Sequence, residues 1–241
     1  PKDEELETAK SKTRLAGEKE EYLVTDPFTM AINSVRGRAF QSFVLFVYQD
    51  GKKFAKTDKI KIDEDVKFLY EKVLKAENTR AIMFMFGHYI ASFYFRDRDW
   101  ICGLLPQIFP QESEKRHIYL ASWEGYLANN LYEEIFLDEN FQALYERGLS
   151  LTGAEDKTRR HFKDPDEGLA VHLALAFMFY CPKFGFDDPL FIKFWEKGKD
   201  VERQAEFVSF IGRMFVSGDN AQAKELLAKN AQCRQRLVDL W

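Results

Sequence analysis

Residues 26–49 read DPFTMAINSVRGRAFQSFVLFVYQ, and this stretch decides the fold class. Asp26 is a favoured N-cap, and Pro27 sits where a first helical residue can lack its N–H. Phe28, Ile32, Val35, Ala39, Phe43, Phe46 and Val47 then recur at helical spacing, predicting one core helix with a long buried stripe. Gly37 costs about 1 kcal/mol relative to alanine inside a helix, so its presence predicts a close packing approach. Asn33, Arg36 and Arg38 flank that glycine and are candidate partner-binding residues. Their structural alternative is that Asn33 and Arg36 satisfy neighbouring helix ends.

The rest of the chain supports the same class. Its 241 residues include 13 glycines and 7 prolines, too few for many short strands, and 23 phenylalanines that can fill a core. Acidic segments open a helix near Ile62–Asp65, with Val66, Leu69, Tyr70, Val73 and Leu74 on its predicted buried side. Thr79 is read as the cap of an apolar helix over Ala81–Phe95, which should lie between neighbours. Further helices are predicted over 114–130, 141–149, 168–180 and 201–216, with a last one from Asn220 toward Trp241.

One pattern recurs three times, as Phe95–Trp100, Phe136–Phe141 and Phe186–Phe191. Each has an aromatic, one or more aspartates, and a new helix that starts on an aromatic. Capped helix hairpins explain it, and their repetition predicts an all-α, irregular HEAT- or armadillo-like array, an α-solenoid, for which the usual period is about 40–47 residues. Residues 1–24 are read as a charged leading segment and 25–241 as one helical-repeat domain. The start at Pro1 and the stop at Trp241 within an amphipathic pattern predict a piece of a longer polypeptide.

A net charge of −4 argues against a general nucleic-acid binder. Cys102, Cys181 and Cys233 are odd in number and far apart, as in reduced intracellular proteins. With no signal peptide, and no apolar run reaching about 20 residues, the expectation is a soluble cytoplasmic protein.

No catalytic constellation emerges. The sequence has no Cys-x-x-Cys, His-Glu-x-x-His, phosphate-binding loop or nucleophile elbow, so no cofactor, metal site or catalytic residue is expected. His88 and His172 read as satisfied core histidines, His117 and His161 as exposed, and Asp187 and Asp188 as capping residues. Arg96 and Arg98 read as hairpin residues paired with local aspartates. The basic stretch 157–163 adds Arg159, Arg160 and Lys163 as candidate partner-binding residues, within a polar loop read over 152–166 where flanking acids blunt its field.

The segment Asp26-Pro27, followed by Ala31-Ile32-Asn33-Ser34-Val35-Arg36-Gly37-Arg38-Ala39, resembles a stretch in the helical C-terminal regions of large bacterial antiphage proteins. Those proteins carry an effector such as a sirtuin-like or nuclease domain, often with a STAND-type ATPase, ahead of a helical-repeat sensor. The resemblance implies a non-catalytic sensor or scaffold whose partner is a phage protein or the effector of the same chain. The matching residues are Asn33, Ser34, Arg36, Gly37 and Arg38. No Walker motif or effector is present in this sequence, so no enzymatic activity carries over. Two other readings stay open: a nucleic-acid-binding helical domain using the 157–163 loop, and an enzyme whose site is assembled from His88, His172 and Asp187.

Overall fold

The computed structural model describes residues 11–12, 22–51, 62–150, 158–159, 165–196, 201–217 and 220–241. Asp26 is the N-cap that the sequence predicts: its carboxylate accepts from Thr29 N at 2.8 Å and from Thr29 Oγ1 at 2.9 Å. The expected single helix is, however, two: α1, Pro27–Asn33, and α2, Val35–Gly51. Ser34 separates them with an extended ψ of 150°, and its hydroxyl accepts from Gly37 N at 2.9 Å. That break resets the phase of the buried stripe. Met30, Ala31, Phe40, Val44 and Val47 are buried, whereas Val35 is 85% exposed and Phe46 52% exposed. Gly37 does have a packing reason, because a Cβ there would collide with the Ala31 carbonyl of α1.

Among the described residues twelve more α-helices follow: α3, Glu64–Ala76; α4, Arg80–His88; α5, Ile90–Tyr94; α6, Arg98–Ile108; α7, Arg116–Leu127; α8, Glu133–Phe136; α9, Glu139–Ser150; α10, Pro165–Phe179; α11, Pro189–Glu196; α12, Val201–Ile211; α13, Ala221–Lys229; and α14, Ala231–Leu240. The chain is thus all-helical in character. At its fringe, β1 (Ser11–Lys12) pairs antiparallel with β2 (Tyr22–Thr25), and β2 pairs in parallel with β3 (Thr158–Arg159). Two residues of the stretch read as an irregular loop therefore take an extended form. No helix among the described residues is long and apolar enough to cross a membrane.

Two other predicted helices are also interrupted. Tyr89, with ψ of 6°, divides the apolar run into α4 and α5, and Asn230 divides the last helix into α13 and α14. Asparagine performs the second break by capping: Asn220 accepts from Ala223 N and Asn230 from Cys233 N, each at 3.1 Å.

Thr79 sits at the cap position of α4 but makes no side-chain cap bond, because its hydroxyl donates to Glu77 at 2.6 Å instead. The three recurring turns are capped as read. Asp97 accepts from Trp100 N at 3.2 Å, Asp138 from Asn140 N at 3.0 Å and Asp188 from Leu190 N at 2.8 Å. Phe186 and Phe191 pack across the third turn with ring centres 5.5 Å apart. Phe95 instead points out, half-exposed, and Phe93 packs on Trp100 from the preceding turn of helix.

Contacts cluster into two compact units, one of residues 1–129 with 154–163 and one of residues 130–153 with 164–241. In the first, Phe40, Tyr70, Phe86, Phe93 and Trp100 form the aromatic centre, with Tyr70 4.8 Å from both Phe86 and Phe93. Its tightest helix crossing joins α4 and α7, and Ala81 to Gly87 are all buried there. In the second, Phe177, Phe191, Phe194 and Phe207 pack around the contact of α10 with α12.

Candidate functional site

A cavity of about 320 Å³ opens in the first unit between α2 and α3. Ala39, Phe40 and Phe43 of α2 face it, Leu69, Tyr70 and Val73 of α3 form the opposite wall, and α4 contributes Ile82. Helical periodicity brings these residues together, because positions three and four apart share a face. The same line continues along α2 to half-exposed Phe46. Leu69, expected on the buried side of its helix, is 46% exposed because it sits on the rim of this cleft.

One end of the cleft is polar. Arg36 donates to Glu77, and the two side chains differ sharply in environment: Arg36 is 48% exposed and Glu77 only 1%. The Glu77 carboxylate also accepts from Asn78 N at 3.0 Å, Thr79 N at 2.8 Å and Thr79 Oγ1 at 2.6 Å. A buried acid with four donors is held firmly, and it fixes the arginine at the mouth. Inside, the Tyr70 hydroxyl is buried without a hydrogen-bond partner, and burial pushes its phenol well above the usual range.

The candidate residues from the sequence are distributed unevenly around this cleft. Arg36 lines it. Asn33 is exposed and donates to Thr29 O at 2.8 Å, inside its own helix end. Arg38 is exposed and donates to Gln41 Oε1 at 3.3 Å. Only the backbone of Arg159 is described, in β3, while Arg160 and Lys163 lie outside the described residues. The cleft residues Leu69, Tyr70 and Glu77 were not singled out as site residues by sequence reasoning. The available signal was Glu77-Asn78-Thr79, a carboxylate directly before a helix start.

The three residues of the assembled-enzyme reading have separate local roles. His172 Nδ1 lies 2.7 Å from the Tyr145 hydroxyl, a satisfied buried pair, and Asp187 is exposed beside the capping Asp188. His88 departs from the satisfied-core expectation: its Nδ1 is buried with no partner, and burial lowers its basicity against a hydrogen bond with the Gly125 backbone. His117 is exposed as read, and His161 lies outside the described residues. No group of three or more potential metal ligands gathers among the described residues.

The arginines near the first hairpin behave differently from one another. Arg98 pairs with Asp99 at 3.2 Å as expected. Arg96 instead lies over the Tyr48 ring at 4.4 Å and donates to Ser92 O, while Asp97 pairs with Lys67 at 2.8 Å.

The cleft offers an apolar slot, an accessible apolar rim and an anchored cation at one end. Comparison with protein-family models, curated proteins and solved structures finds no match for this chain.

Proposed function

We propose that the chain is a non-catalytic protein-interaction module, the sensor or scaffold part of a bacterial cytoplasmic antiphage defence protein. Its helix pairs stack in an irregular HEAT- or armadillo-like plan, and its partner binds along the helical surface. The capped turns at Asp97, Asp138 and Asp188 support that repeating plan.

The observation that carries the proposal is the α2–α3 cleft. Leu69 and Phe46 expose apolar surface beside a cavity of about 320 Å³, large enough for an aromatic or aliphatic anchor. Arg36, fixed by Glu77, supplies a charge at the rim that favours a partner with a carboxylate or carbonyl beside its anchor.

Affinity capture of the tagged chain from infected and uninfected bacterial lysates, with nuclease treatment, tests the reading. A protein recovered only after infection, and retained through nuclease, is the expected result. Recovery of nothing, or of partners lost on nuclease treatment, overturns it.

A further inference from the structure

Cys181 and Cys233 lie far apart in sequence but meet in the second unit. Cys181 follows the end of α10 and is partly exposed, whereas Cys233, in the first turn of α14, is fully buried. Two hydrogen bonds fix the approach of these segments: Cys233 Sγ donates to Met178 O at 3.2 Å, and Cys181 Sγ donates to Gln232 Oε1 at 3.8 Å. Each thiol thus lies against the chain segment that carries the other. Arg236 adds a cation near Cys233 and donates to the carbonyls of Phe177 and Phe184, which holds α14 on this surface.

We propose that Cys181 and Cys233 form a thiol pair that a hydroperoxide oxidises to an intramolecular disulfide, fastening α14 to the end of α10. Cys181 is the attacking group, because it is the one that solvent reaches. Its thiolate attacks the O–O bond of the hydroperoxide; the distal oxygen becomes a sulfenic acid, and the other leaves as water or an alcohol. Cys233 sulfur then attacks the sulfenic sulfur, the S–S bond forms, and the hydroxyl leaves as water with the proton of the Cys233 thiol. Two thiols lose two electrons in all, and the peroxide bond gains them. Burial pushes the Cys233 thiol up to about 11, consistent with a resolving rather than an attacking group.

The link acts where the fold is thinly held. Ala223 is the buried residue of α13 and Cys233 that of α14, so these two helices bury little surface of their own. Oxidation secures them, and reduction leaves them held by Arg236 and the caps.

The test is to treat the reduced protein with hydrogen peroxide and map peptides under non-reducing conditions. The free-thiol count falls from three to one, a peptide joining 181 to 233 appears in monomeric protein, and the melting temperature rises by about 5–10 °C, reversed by dithiothreitol. Cys102→Ser keeps the link, and Cys181→Ser abolishes both it and the melting shift. Three remaining thiols, sulfinic acid at Cys181 without a link, or disulfides only between chains would each overturn the proposal.

Discussion

Gly87 of α4 and Gly125 of α7 each lie against the backbone of the other's helix. A Cβ on Gly87 would fall on the Ser122 carbonyl, and one on Gly125 would fall on the Phe84 carbonyl. The crossing is therefore built on absent side chains, and backbone rather than a movable side-chain tip would have to yield. Gly87→Ala and Gly125→Ala are each expected to destabilise the fold by about 3 kcal/mol, the upper part of the overpacking range. Gly103, exposed within α6 with open space around it, is the control: alanine there should stabilise by about 0.5–1 kcal/mol. Urea denaturation of the three variants checks both signs.

Tyr70 buries a hydroxyl with no partner at the centre of the first unit's aromatic cluster. Removing an unsatisfied polar atom without changing the ring relieves a desolvation cost, so Tyr70→Phe should stabilise by about 1 kcal/mol. A loss of stability measured by the same denaturation would mean that the hydroxyl is hydrogen-bonded.

Glu77 and Arg36 form one ion pair with unequal consequences. Deleting the arginine leaves a buried carboxylate that still accepts from residues 78 and 79, whereas deleting the acid strands the donors of buried Thr79. Glu77→Ala is expected to cost about 2–3 kcal/mol and Arg36→Ala about 1 kcal/mol, because the guanidinium is half exposed. Equal costs in thermal melts would contradict this order.

His88 predicts an acid-side weakness. Burial lowers its affinity for a proton in the fold relative to the ordinary imidazole value of 6.5. The folded state then binds fewer protons than the unfolded chain, so the His88 contribution is complete above that value and is lost as pH falls toward the depressed folded value. Comparing urea midpoints of wild type and His88→Gln at about pH 7.5 and about pH 5 should show a smaller acid loss in the variant. An unchanged difference between the two proteins across that interval would refute it.

Capping chemistry was the part most legible in the sequence. Asp26, Asp97, Asp138, Asp188 and Asn220 all accept from the backbone where a new helix begins, because a short side-chain acceptor before an apolar period has few other uses. The breaks at Ser34, Tyr89 and Asn230 were not legible. Each is a single residue leaving the helical region while apolar spacing continues on both sides, so periodicity alone runs through it. Because the break at Ser34 resets the helical phase, Val35 and Phe46 lie outside rather than inside. For the cleft, Arg36 stood out as a charge beside a helix glycine. Leu69 and Tyr70 looked like ordinary core, because a cavity depends on how two helices diverge and that is a tertiary quantity.

The most direct test of docking at the α2–α3 cleft compares three tagged proteins in capture from phage-infected lysate: wild type, Leu69→Asp, and Val238→Asp as a control at an exposed position of the second unit. Leu69→Asp changes a rim side chain that solvent already reaches, so the fold should persist, as thermal melts would verify. Loss of about tenfold or more of the infection-specific protein in Leu69→Asp, with full recovery by Val238→Asp, is the predicted result, since burying a charge at an apolar anchor site costs more than about 1.4 kcal/mol. Equal recovery by wild type and Leu69→Asp would contradict the assignment of the cleft.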